Sequence, residues 1–223
     1  MKIISLGCTC YIKNLIKNTT YDKSTDIVDW VNSFEFDKLV EVIDKKINIF
    51  ENTTNSIDLK TNITTYYNEQ YLFRMPHEID IEKSIITYQK HLDQFFDYKN
   101  DTDNYLFIRQ LNLGQLERPA EILENNYNEE TYNKLMLCLP VNSKILLITN
   151  KKLLPAEKNK IFDKFYVLDN IIRPDHIAYG DYLPRKKEIV GYYQDMFDNI
   201  CNNFDNVDNN IIYNLVKNEN IGL

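Results

Sequence analysis

The chain has 223 residues, 43% of them hydrophobic and 26% charged, with a formal net charge of −7. That length and apolar content suit one good core, so the expectation is one domain over residues 1–204 and a polar C-terminal tail over 205–223. The acidic balance opposes non-specific binding to nucleic acid or to an anionic membrane surface. No apolar run reaches the length of a membrane span, and the N-terminus lacks the pattern of a secretory leader, so the chain reads as soluble and cytoplasmic. Its abundance of Asn, Ile, Lys and Tyr fits an AT-rich genome, of a low-GC bacterium or a large DNA virus; for a virus, the compartment is the host cytoplasm.

Lys2 to Leu6 is almost wholly apolar and β-branched and is cut off by Gly7, which predicts a buried first strand. Tyr11, Ile12, Leu15 and Ile16 recur at helical spacing, so Cys8 to Cys10 fall in a strand-to-helix turn. Unsatisfied N–H groups and the positive dipole end of a helix start favour a thiolate over a thiol, which makes Cys10 a candidate nucleophile. The competing reading is packing, because a free cysteine behaves as a small buried hydrophobe.

Asn18 to Asp26 reads as a polar loop. In Ile27-Val28-Asp29-Trp30-Val31 an acid stands beside the only tryptophan, either as a helix start with an anchoring aromatic or as part of a site. Ser33 is a candidate N-cap for a core-facing helix with the stripe Phe36, Leu39, Val40, Ile43 and Ile47. Glu51 to Ser56 reads as a surface loop, and the alternation from Ile57 to Met75 predicts one or two strands or a β-hairpin.

Pro76 biases Met75 away from the helical region and an acidic helix opens near Asp80, so His77 sits in a short loop. A neutral imidazole takes a thiol proton near neutral pH, so His77 is the first candidate for a general base, against a merely solvated loop histidine. The helix from Asp80 to Tyr98 buries Ile81, Ile85, Tyr88, Leu92, Phe95 and Phe96, with His91 flanking that stripe as a packing residue. Tyr105 to Arg109 has the pattern of a central strand ending in a charge. Ligands of open α/β sheets gather beyond the carboxyl ends of the strands. Arg109 therefore reads as a clamp for a carboxylate, phosphate or oxyanion, or else as half of a structural salt bridge.

Pro119 to Leu139 opens as a helix that Asn125 to Asn128 interrupt. Lys144 to Thr149 and Phe165 to Leu168 read as buried strands with a short helix near Pro155 to Phe162 between them, and a last helix runs from Arg185 to about Asn203. Strand, helix and strand at this spacing form a βαβ unit. The expected fold is a single α/β domain with a central, mostly parallel sheet flanked by helices in Rossmann-like layers. Asp175-His176 follows the last strand and makes His176 the rival of His77 as base. Of the four cysteines, Cys8 and Cys10 are too close together for a structural disulfide, and the set lacks zinc-site spacing. No metal and no cofactor is expected, since phosphate-loop, dinucleotide and His-Glu-x-x-His patterns are missing.

Ser5-Leu6-Gly7-x-x-Cys10, followed by Val28-Asp29-Trp30-Val31, resembles the opening of the papain-like cysteine peptidase family, an otherwise uncharacterised domain family. The family cysteine falls on Cys10, and Cys8 occupies a variable position. The resemblance extends from about Lys2 to Asp169, with a histidine at His77, followed in the family by Asp where this chain has Glu78, and a strand closing at Arg109. It implies a cysteine hydrolase of a peptide, amide or glycan-type small substrate. Cys10 would attack a carbonyl, His77 shuttle the proton and Asp29 orient the imidazole. Trp30 would wall the pocket, Gly7, Cys8 and their turn would hold the oxyanion through backbone N–H groups, and Arg109 would bind substrate. Parallel βαβ units are not the usual papain layout, in which the nucleophile helix packs on an antiparallel sheet. Two other readings therefore stand beside it: an α/β esterase or a transferase acting on a sugar or nucleotide-sugar, and a non-catalytic ligand-binding module with structural thiols.

Overall fold

In the computed structural model, which describes residues 1–8, 11–21, 27–28, 31–58, 63–75, 80–111, 126–149, 152–169, 171 and 186–208, the chain opens with β1 (Lys2–Ser5), α1 (Tyr11–Lys17), β2 (Asn32–Ser33) and α2 (Phe36–Asp44). A meander of β3 (Thr54–Asp58), β4 (Ile63–Asn68) and β5 (Phe73–Met75) leads to α3 (Ile81–Asp97). Then come β6 (Tyr105–Gln110), α4 (Glu129–Met136), β7 (Ser143–Ile148), α5 (Pro155–Lys158), β8 (Tyr166–Leu168) and α6 (Lys186–Asn202).

The strands β1, β6, β7 and β8 lie side by side in that order, and every pair is parallel. Their apolar runs are continuous because both faces of the sheet are covered. Alternate residues point to opposite sides. Ile4, Phe107, Ile145 and Leu147 join Phe36 and Leu39 of α2, Leu92 and Phe95 of α3, and Phe73 and Met75 of β5 in one core. Ile3, Leu106, Ile108, Leu146 and Ile148 join Ile12, Leu15 and Ile16 of α1 and Ile189, Tyr193 and Phe197 of α6 in the other. Each fully buried side chain of this kind contributes about 1.5–3 kcal/mol. The expected α/β fold with Rossmann-like layers is the fold observed.

A second, antiparallel four-stranded sheet has the order β2-β5-β4-β3. It is tied to the first where the Ser33 N–H donates to the Cys8 carbonyl at 3.2 Å. Predicted and observed elements differ in several places. Ser33 is not an N-cap: Glu35 stands at that position without a side-chain cap, and Ser33 is a fully buried strand residue. Thr54 to Ser56 belong to β3 rather than to a loop, because pairing with Tyr67, Tyr66 and Thr65 of β4 outweighs the weak strand preference of Asn and Ser. The helix expected to open at Pro119 is described only as α4, which starts afresh from the Asn128 cap; residues 119–125 lie outside the described set. At the other end, Val207 packs in the second core, two residues inside the segment expected to be a polar tail.

Candidate functional site

The carboxyl end of β1 is the point where the two sheets meet. Leu6 extends the ladder by donating its N–H to the Ile108 carbonyl at 2.7 Å. The backbone then reverses through Gly7 and Cys8, both left-handed, with φ of +70° and +73°. Glycine is required at the first of these for space as well as for φ. A Cβ on Gly7 would meet Ser33 Oγ and Val28 Cβ at 3.2 Å.

Every polar group of this turn has an assigned place. The Gly7 N–H donates to Ser5 Oγ and the Cys8 N–H to Ser33 Oγ, each at 3.1 Å. The Gly7 carbonyl accepts from the Gln110 N–H at 3.4 Å and the Cys8 carbonyl from the Ser33 N–H. The expectation that Gly7 and Cys8 offer N–H groups to an oxyanion is therefore not met in this arrangement, because those donors already serve Ser5 and Ser33. The Cys8 side chain is buried.

Arg109 is the brace behind the turn. It is the penultimate residue of β6, on the side of the first core, and is fully buried. Its Nη1 donates to the Leu6 carbonyl and to Ser33 Oγ, both at 2.8 Å, its Nη2 to the Ser33 carbonyl at 3.1 Å, and its Nε to the Tyr127 hydroxyl at 3.0 Å. Phe36 lies under the guanidinium at 5.6 Å and stacks on Tyr127 with ring centres 4.5 Å apart. Arg109 thus grips the chain rather than reaching into a cleft for a substrate anion. A planar fork with several donors satisfies many acceptors at once, which an ammonium group does not do in this geometry.

The residues expected to carry the chemistry, Cys10, Asp29, Trp30, His77 and the rival His176, lie outside the described residues. The flanks of the first three segments do meet. Cys8 is bonded to Ser33, Val28 lies against Gly7, and β5, which leads to His77, pairs with β2 through Phe73 opposite Ser33. At the far end of the same sheet edge, the Asp169 carboxylate accepts the Leu153 N–H at 2.8 Å and pairs with Lys158 at 3.0 Å, which ties the segment after β7 to the end of β8. His91 is half-buried on α3, and burial lowers its pKa. Among the described residues, no set of three or more His, Cys, Asp or Glu is grouped to hold a metal, and no helix is long and apolar enough to cross a membrane.

Sequence reading missed Ser33 as the centre of this arrangement. The one available signal was that Ser33 follows the Asp29-Trp30 segment at strand spacing. Compared with known proteins, the chain matches no family model, no curated protein and no solved structure.

Proposed function

We propose that the chain is a thiol-dependent hydrolase whose nucleophile is Cys10, with His77 as general base and Asp29 orienting the imidazole. The observation that carries this reading is the convergence of three flanks at the carboxyl end of β1. Cys10 lies two residues after the braced Cys8. Asp29 directly follows Val28, which packs on Gly7. His77 lies two residues after Met75, a span of about 7 Å at most. The antiparallel register of β5 against β2 runs from Phe73 opposite Ser33 to Arg74 opposite Asn32, so Met75 stands at the end of the pair nearer Val31.

In this mechanism His77 takes the Cys10 proton. The thiolate adds to the carbonyl carbon, and the leaving group departs with the proton from His77. Water then hydrolyses the thioester with the same histidine as base. With seven residues, α1 adds little macrodipole, so the thiolate depends on the histidine. The substrate is a peptide, amide or glycan-type small molecule, and free thiols suit a reducing, cytoplasmic setting.

The layout is not that of papain, because β1 is parallel to its neighbour β6. That arrangement favours a second reading, an α/β esterase or nucleotide-sugar transferase with its ligand beyond the carboxyl edge of the sheet. The deciding experiment is the pH dependence of Cys10 alkylation by iodoacetamide, read by fragment mass spectrometry so that Cys8 and Cys10 are separated, in wild type and His77→Ala. An apparent pKa well below the free-thiol value of about 8.5, lost in the variant, is expected. An inert Cys10, or a profile indifferent to His77, overturns the hydrolase and directs the search to nucleotide-sugar binding.

A further inference from the structure

Arg74 is the middle residue of β5, opposite Asn32 on β2 and Tyr67 on β4. Directly opposed residues of an antiparallel sheet share a face. Asn32, Arg74 and Tyr67 therefore form one row across three strands, on the face away from Phe73 and Met75, which belong to the core. All three are half-buried.

The Arg74 Nε is shut off from solvent and has no hydrogen-bond partner, and among the described residues nothing bonds or ion-pairs with its guanidinium. This is a chain with 33 acidic residues against 26 Lys and Arg, so partners of the right sign are plentiful. Arg109 commits its guanidinium to four contacts, whereas Arg74 is left unfilled. A buried donor without an acceptor is destabilising, and the cost is relieved when an acceptor arrives from outside. Among the described residues, the other buried polar atom without a partner, the Tyr88 hydroxyl, belongs to a residue packed inside the core and only 4% exposed, so it offers no comparable site.

We propose that the row Asn32, Arg74 and Tyr67 is an oxyanion subsite that takes a carboxylate or phosphate group of the ligand. Arg74 makes the contact through its guanidinium, with the Asn32 amide and the Tyr67 hydroxyl as neutral donors on either side. The row is one strand residue from the Ser33 tie to Cys8 and three residues ahead of His77. It thus names an anionic group on the substrate of the proposed hydrolase and rests on that reading for this assignment alone.

The test is thermal unfolding of the full chain with inorganic phosphate, and separately with acetate, at ionic strength held constant with sodium chloride, for wild type, Arg74→Gln and Arg74→Lys. One or both anions raise the wild-type Tm saturably, by about 5–10 °C at a hundred-fold excess over Kd; the effective anion identifies the group as phosphate or carboxylate. Arg74→Gln loses the rise and Arg74→Lys weakens it. Without anion, Arg74→Gln unfolds at the wild-type temperature or above, because the orphaned donor is gone; an arginine kept for structure would lower it. A rise of equal size in wild type and Arg74→Gln, no saturable rise with either anion, or a lower anion-free Tm in Arg74→Gln overturns the proposal. These outcomes are independent of Cys10 alkylation, so the subsite and the thiol chemistry stand or fall separately.

Discussion

Arg109 holds Ser33 twice, donating from Nη1 to the hydroxyl at 2.8 Å and from Nη2 to the backbone carbonyl at 3.1 Å. The same hydroxyl accepts the Cys8 N–H, so one serine links the end of β6 to the turn after β1. The geometry of the turn through Gly7 and Cys8 is thereby set by residues distant from it in sequence.

Ser33→Ala removes the acceptor shared by Cys8 and Arg109 in a site closed to water. It should destabilise the chain by about 1–3 kcal/mol, read as a lower urea midpoint with an unchanged slope. A midpoint equal to wild type would mean that the hydroxyl is dispensable to the turn.

Arg109→Lys keeps the charge but loses the fork, and should cost about 3 kcal/mol or more because several buried acceptors lose their donor together. The double variant Ser33→Ala/Arg109→Lys should be less damaging than the sum of the two singles, by about 0.5–3 kcal/mol. Strict additivity in denaturant melts would show that the two residues act independently.

Gly7→Ala places a side chain on a left-handed residue within 3.2 Å of Ser33 Oγ and Val28 Cβ. The backbone term alone is about 1–2 kcal/mol, and the crowding adds to it. A Tm within experimental error of wild type would refute the described turn.

Lys2 lies 2.5 Å from the Asp101 carboxylate and 2.9 Å from the Tyr105 hydroxyl. The Asp101 contact raises the Lys2 pKa above its usual value, and Lys2 holds the Asp101 carboxyl below the usual range. A depressed carboxyl stabilises the fold above its unfolded value of about 3.9 and loses that contribution as pH falls through the folded value. The stability difference between wild type and Asp101→Asn should therefore be level near neutral pH and shrink below about pH 4. Because the pair is partly exposed, salt should weaken it too. A difference that grows on acidification would contradict the pairing.

Burial lowers the His91 pKa, so the folded state binds its proton less readily than the unfolded chain. Stability linked to His91 is complete above about pH 6.5 and declines as pH falls through the folded value. Tm measured from pH 7 to 5 should fall less steeply in His91→Gln than in wild type. Parallel curves would show that His91 titrates as if unfolded.

The sheet and its helices were legible because their signals are local. Tyr105 to Ile108 is apolar throughout, and Tyr88, Leu92 and Phe95 recur at the period that turns one helix face to the core. The position of Cys10 in a strand-to-helix connection followed from Gly7 ending one pattern and Tyr11 opening another. β3 was legible only in part, since Asn55 and Ser56 have little strand preference of their own and depend on their partners in β4.

Length, charge and hydrophobic periodicity by themselves determined an α/β chain with a parallel sheet covered on both faces. The tertiary structure alone decided what Ser33, Arg109 and Arg74 do. Ser33 meets Arg109 across 76 residues of sequence and Cys8 across 25. Periodicity encodes which face of an element is apolar, and it carries no information about which polar group of a distant element will stand opposite. An arginine in a short strand reads alike whether it is fully partnered, as Arg109 is, or left with an unfilled buried donor, as Arg74 is. Only the packing of the two sheets separates the two, because satisfying a buried donor is a property of the enclosure and not of the strand that supplies it.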